Sequence, residues 1–156
     1  MDIATRNDLI AQYAKGYELV AVALAGASEA DLDRRPADGS WTARKVVHHL
    51  ADSEMTSALR VRRLIAEESP AIVGYPEEIW AERVYYDRPI ELSLAAFEAA
   101  RASTVPILRR MTGAEWQREG SHNDLGRYTP EIWLEIYVRH AREHAEQIRR
   151  ALGREG

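Results

Sequence analysis

The chain has 156 residues, 46% of them apolar and 29% charged, which favours one domain, residues 1–156, built round one core. A net charge of -4 argues against a large basic surface for nucleic acid. The absence of cysteine removes disulfides, thiolate ligands and cysteine nucleophiles, so any site must be made from His, Asp, Glu or water.

The chain opens Met-Asp-Ile-Ala-Thr-Arg-Asn-Asp. This is not the charged-then-apolar pattern of a secretion signal, and a cytoplasmic location is the expectation. No apolar run approaches the roughly 18 to 20 residues of a membrane span, so no membrane partner is expected. Helical periodicity begins near Thr5 and continues to about Ala25, with Leu9, Ile10, Tyr13, Tyr17, Val20 and Leu24 on one face. A turn-rich stretch follows, from Gly26 through Asp33-Arg-Arg-Pro-Ala-Asp-Gly-Ser40.

A second helix is predicted from Trp41-Thr42, with Ser40 or Thr42 as cap, to about Glu68. Its apolar stripe is Val46, Val47, Leu50, Ala58, Val61, Leu64 and Ile65. The connection from about Pro70 to Leu92 holds Tyr75, Trp80, Tyr85 and Tyr86, with a short helix expected around Pro76 to Arg83. Connections of about 20 residues are uncommon in compact domains and often functional. These aromatics either wall a substrate pocket or cap the bundle.

The third helix spans about Ser93 to Met111, with a kink or break expected at Pro106. A loop from Gly113 through Tyr128 carries Trp116 and His122. The fourth helix opens on Thr129 as cap, Pro130 at its first position and Glu131 in its first turn, and runs to about Leu152. No strand pattern competes convincingly with these helices. Four amphipathic helices, with long connections between the second and third and between the third and fourth, predict an all-α four-helix bundle.

His140 and His144 lie one turn apart, and residues four apart on a helix stack on one face. Ala141 stands where a zinc protease of the H-E-x-x-H kind needs Glu, so the pair points to a metal site of another kind. Trp133, Tyr137, Ala141, Ile148 and Leu152 form the inward stripe, and the two histidines sit on its edge. On their own, they read more readily as partly buried histidines with ordinary partners than as ligands. Helix two adds His48 and His49. Adjacent helical residues diverge by about 100 degrees, so one is expected to join the pair. His49 lies nearer the apolar stripe and is preferred, while His48 projects toward the polar side. His49, His140 and His144 would leave a fourth position open, the pattern of a catalytic rather than a structural zinc site, although imidazole also suits nickel, copper and iron.

Glu54 falls within the apolar stripe of helix two, where an unpaired carboxylate is costly. A salt bridge to an arginine of another helix is slightly favoured. The functional alternative makes Glu54 the candidate catalytic residue, as a hydrogen-bond acceptor behind the ligands or as a general base. Asp52 is a weaker candidate. His122, in a loop, is expected to be exposed rather than a ligand.

Three blocks carry a family resemblance: Gly39-Ser-Trp-Thr-Ala-Arg-Lys-Val-Val-His-His-Leu-Ala-Asp-Ser-Glu54, Pro70-Ala-Ile-Val-Gly-Tyr-Pro-Glu-Glu-Ile-Trp-Ala81, and the His140/His144 pair. Together they resemble the DinB-like superfamily of metal-binding four-helix bundles, most closely its branch of metal-dependent hydrolases and bacillithiol transferases. The resemblance implies His49, His140 and His144 as ligands of one divalent ion, zinc or nickel, and a homodimer. In that branch the position of Glu54 is often His, a departure that bears on any role given to Glu54. The leading expectation is an enzyme that uses the metal, with or without a low-molecular-weight thiol cosubstrate, to attack a small electrophilic substrate. The alternatives are a non-catalytic metal-binding stress-response module acting through dimerisation, and a metal-free structural bundle.

Overall fold

The computed structural model describes residues 1–154. Most of its helices begin where the sequence supplies a capping side chain. Asp2 accepts from Thr5 N at 2.8 Å at the start of α1 (Ile3–Ala14). Thr42 accepts from Lys45 N at the start of α4 (Ala43–Ala66), and Thr129 from Ile132 N at the start of α8 (Pro130–Ala151). Each cap satisfies an amide that the helix leaves without a partner. Between them lie α2 (Gly16–Leu24), the single-turn α3 (Glu29–Leu32), α5 (Glu77–Arg83), α6 (Glu91–Arg110) and the single-turn α7 (Gly113–Trp116).

Four helical stretches make the bundle: α1 with α2, then α4, α6 and α8. The first stretch and α4 each pack on both α6 and α8. Stretches consecutive in the chain, first to second and third to fourth, therefore stand across the diagonal. Long connections are what such crossings require.

Several expectations change. The first helix is two helices, α1 and α2, meeting at Lys15–Gly16. At this junction the Arg101 guanidinium donates to Tyr13 O at 2.8 Å. A Cβ at position 16 would lie 2.0 Å from Arg101 Nη1, so only glycine admits the arginine. Helix α6 runs unbroken through Pro106, which is exposed, as is Ala102 one turn earlier. The carbonyl that Pro106 cannot serve belongs to that exposed turn, where water can replace the missing donor.

Three strands also escaped the sequence reading: β1 (Ala71–Ile72), β2 (Gly120–His122) and β3 (Gly126–Tyr128). At two or three residues each they are too short to show alternation. Strand β1 pairs parallel with β2, and β2 antiparallel with β3. The sheet thereby joins the two long connections that cover one side of the bundle.

Two apolar clusters fill the interior. One holds Val20, Val47, Leu50, Phe97, Ala141 and Ile148. The other holds Ile10, Tyr13, Val61, Leu64, Leu108, Trp133 and Leu134. On every bundle helix the residues between these clusters meet a polar layer. Glu54 and Arg101, 0% and 2% exposed, form an ion pair at 2.8 Å. Tyr13 donates to Glu54 Oε1 at 2.5 Å, and Arg101 donates to Tyr137 O at 2.8 Å. The guanidinium also lies 4.3 Å from the Tyr13 ring centroid and 4.9 Å from that of Phe97. Removing one partner of a buried pair leaves the other charged and unsolvated, a cost of about 3–5 kcal/mol. Arg101→Met should therefore destabilise the protein by about that much in urea unfolding, and Glu54→Leu/Arg101→Met by less than the single variant. A double variant no more stable than Arg101→Met would refute this account of the layer.

A three-histidine cluster at the groove between two helices

Helix α4 is enclosed by α6, α8 and the 67–90 connection, so residues 46–54 are all buried. This corrects the expectation for His48, which is buried rather than directed to a polar side. Its Nε2–H donates to Arg88 O at 3.0 Å, which leaves Nδ1 to accept from the Ser93 hydroxyl at 2.8 Å. With both nitrogens used, His48 ties α4 to α6.

His49 turns the other way, into the groove between α4 and α8. There its Nε2 lies 3.2 Å from His140 Nε2, and His144 Nε2 lies 3.1 Å from the same atom. One nitrogen from each ring falls within 4.8 Å of the others. Four nitrogens at about 2.05 Å round a tetrahedral ion stand about 3.3 Å apart, close to the two shorter spacings.

The opposite ring atoms orient the cluster. His144 Nδ1–H donates to Gln147 Oε1 at 2.7 Å, which leaves the Nε2 lone pair free toward the cluster. The Tyr75 hydroxyl lies 3.3 Å from His49 Nδ1. His140 Nδ1 is buried without a partner. Burial lowers all three pKa values, that of His49 to about 3, and the neighbouring imidazoles lower those of His49 and His140 further. Three neutral imidazoles with their Nε2 atoms gathered at one point suit a divalent cation. The donor set therefore fits the expected ion, with Tyr75 and Gln147 behind the ligands.

Aromatic rings enclose the cluster. Trp41 meets the His49 ring edge-on at 5.3 Å between centroids, and Tyr75 packs on Trp80 at 4.4 Å. Of the two readings of these aromatics, the geometry places Tyr75 at the cluster itself. The carboxylates of α4 are engaged elsewhere. Glu54 is in the polar layer with Arg101, the salt bridge that the sequence slightly favoured. Asp52 accepts from Tyr86 OH at 2.7 Å. The catalytic alternative for Glu54 meets a physical obstacle, because Arg101, Tyr13 and Ser57 occupy both its oxygens. His122 is buried, contrary to expectation, because the sheet folds it inward, and it stands apart from the cluster.

Sequence reasoning missed Gln147, Arg60 and Glu77. Gln147 stands three residues after His144, a spacing that places the two side chains together, and was within reach of the pattern. Arg60 and Glu77 line a cavity that also touches His140, and no local signal marks them.

A helical bundle holding a three-histidine cluster defines the class. The family model of the DinB superfamily matches residues 12–148, and the chain belongs to that superfamily. A protein of Oceanobacillus iheyensis named "Putative metal-dependent hydrolase" is 37% identical over 117 residues, 75% of this chain and 68% of that one. A Bacillus cereus protein of the same designation is 32% identical over 123 residues, 76% of this chain and 71% of its own. The structure of YfiT from Bacillus subtilis, described as "a probable metal-dependent hydrolase with an unusual four-helix bundle topology", superposes with a TM-score of 0.88 at 29% identity. It covers 99% of this chain and 91% of YfiT. Among the described residues, no helix is long and apolar enough to cross a membrane.

The depressed histidine pKa values carry a pH signature. An unfolded imidazole takes a proton near 6.5, whereas folded His49 resists until about 3. The unfolded state then binds more protons throughout that window, so folded stability is full above 6.5 and falls as pH drops through it. The melting temperature of metal-free protein should decline from pH 6.5 toward pH 4, and His49→Phe should flatten the decline. An equal slope in the variant would show that other groups set it.

Proposed function

We propose that this protein is a metal-dependent enzyme in which His49, His140 and His144 hold one divalent ion, zinc or nickel, and act on a small electrophilic substrate. The observation that carries the reading is the convergence of three uncharged Nε2 atoms from two helices on one point. Relatives named as metal-dependent hydrolases support a metal-dependent function. When bound, the ion would supply a nucleophile at neutral pH, from water whose pKa falls toward about 7 or from a thiol held as thiolate.

The residues of the chain do the rest. Gln147 and Tyr75 hold His144 and His49 in the orientation that presents Nε2. Trp41, Tyr75 and Trp80 keep bulk water from one side, and the cavity bordering His140 receives the substrate. The position of the carboxylates bears on the choice between hydrolysis and thiol transfer. Hydrolysis would be aided by a base that takes a proton from water, and the carboxylates of Glu54 and Asp52 are committed to Arg101 and Tyr86. Glu77, which lines the cavity, is the base available to a hydrolase. Thiol transfer would depend on one less, because a thiol with a starting pKa of about 8.5 would give up its proton to solvent more readily than water when held by the ion. The engagement of Glu54 and Asp52 supports a low-molecular-weight thiol as cosubstrate.

Protein purified without chelators should contain close to one zinc or nickel per chain, and His49→Ala or His140→Ala should lose it. The ion should raise the melting temperature, since a ligand present at 100 times its Kd stabilises the native state by about 2.7 kcal/mol. An unchanged melting temperature would support the metal-free structural bundle. Metal-loaded protein should conjugate monochlorobimane to a thiol, and Glu77→Gln should leave that rate within about threefold. Hydrolysis of an ester or amide with no thiol present, lost in Glu77→Gln, favours the hydrolase. Metal binding without turnover favours the non-catalytic dimerisation module.

A further inference from the structure

A cavity of about 220 Å³ borders the cluster, lined by His140, Tyr75, Tyr137, Arg60 and His122, with Glu77 and Asp124 among the remaining residues. Its inner wall is rich in hydrogen-bond donors. Arg60 is half-buried and donates from Nη1 to Tyr137 Oη and from Nη2 to Val73 O, both at 3.0 Å. A guanidinium has five N–H donors, so three remain. No carboxylate among the described residues forms a salt bridge with it.

Tyr137 accepts from Arg60, which frees its own proton. His122 Nδ1 accepts from Asp124 N at 3.2 Å, so the neutral ring carries its proton on Nε2 and is a donor. Burial first, and Arg60 next, hold His122 below its usual pKa and therefore neutral. Of the acidic side chains of the cavity, Asp124 is exposed, and Glu77, at the cavity mouth, is held above its usual pKa by partial burial and by Glu78, against the pull of Arg60. Arg60 is a half-buried arginine with no carboxylate in contact, Glu77 acting on it only from a distance, and its planar fork suits bidentate binding of a carboxylate.

We infer that this cavity binds a carboxylate group of the molecule that reacts at the histidine cluster, with Arg60 as its anchor. The inference rests on the metal-site reading for what lies beyond the carboxylate, but anion binding in the cavity does not require the ion. The carboxylate belongs either to the thiol cosubstrate or to the electrophile.

Calorimetric titration of metal-free protein with succinate, and with its uncharged diamide, tests the cavity without any variant. Succinate should bind at least tenfold more tightly than the diamide. Arg60→Met should lose that preference, and Arg60→Lys, which keeps the charge but not the fork, should keep part of it. Equal binding of succinate and diamide, or tighter binding of a diamine drawn by Glu77 and Asp124, overturns the proposal. An unaltered preference in a folded Arg60→Met overturns the role of Arg60.

Metal-loaded protein then separates the two sources. If the thiol carries the carboxylate, mercaptosuccinate should bind about tenfold more tightly than 2-mercaptoethanol, and Arg60→Met should remove the difference. If the electrophile carries it, KM should be lower for iodoacetate than for iodoacetamide, again through Arg60. Absence of metal from the wild-type protein would overturn the ligand assignment while leaving the succinate result readable.

Discussion

One buried ion pair sets the geometry of the bundle. Glu54 comes from α4, Arg101 from α6, Tyr13 from α1 and Tyr137 from α8, and they meet in one layer between two apolar clusters. Apolar side chains alone would permit a helix to slide or turn by a residue at small cost, since core packing tolerates many arrangements of similar volume. A guanidinium committed to a carboxylate and to two backbone carbonyls does not permit this. Its donors must meet acceptors from three other helices, and a shift of any one leaves a buried polar group unmatched. Gly16 belongs to the same constraint, because a side chain there would displace the arginine from the Tyr13 carbonyl.

The histidine cluster inherits this register. His49 precedes Glu54 on α4 by five residues, and His140 follows Tyr137 on α8 by three, so both sides of the cluster lie within about a turn and a half of the polar layer. The imidazoles are brought to 3.1–3.2 Å by helices whose relative height is already fixed. Burial then removes the protons that would otherwise keep three imidazoles apart. The site needs no flexible loop to assemble its ligands, and loops enter only behind them, through Tyr75, and beside them, at the cavity.

The sequence made some of this legible for physical reasons. Thr129-Pro130-Glu131 fixed the start of α8 because capping is a local interaction, and the His140/His144 spacing was readable because helical geometry is local too. Glu54 stood out because a carboxylate on an apolar stripe needs a partner. The partner was not visible, since Arg101 in α6 resembles any surface arginine until the fold brings it to Glu54. His48 was misplaced by treating α4 as a helix with one buried stripe, whereas three neighbours enclose it. The strands went unseen because segments of two or three residues show no alternation, and the β1–β2 pairing joins positions fifty residues apart.

Those strands divide the structural labour of the molecule. The bundle supplies the imidazole nitrogens, and the β1–β2 pairing supplies a brace that holds the cavity walls, Tyr75 on one connection and His122 on the other, as one unit. A change of length or composition in either connection would reshape that wall while leaving the polar layer and the imidazoles where they are. In the proposed enzyme, reactivity and selectivity would thus be carried by parts of the chain that can vary separately, and such a scaffold could keep one chemistry while exchanging one substrate for another.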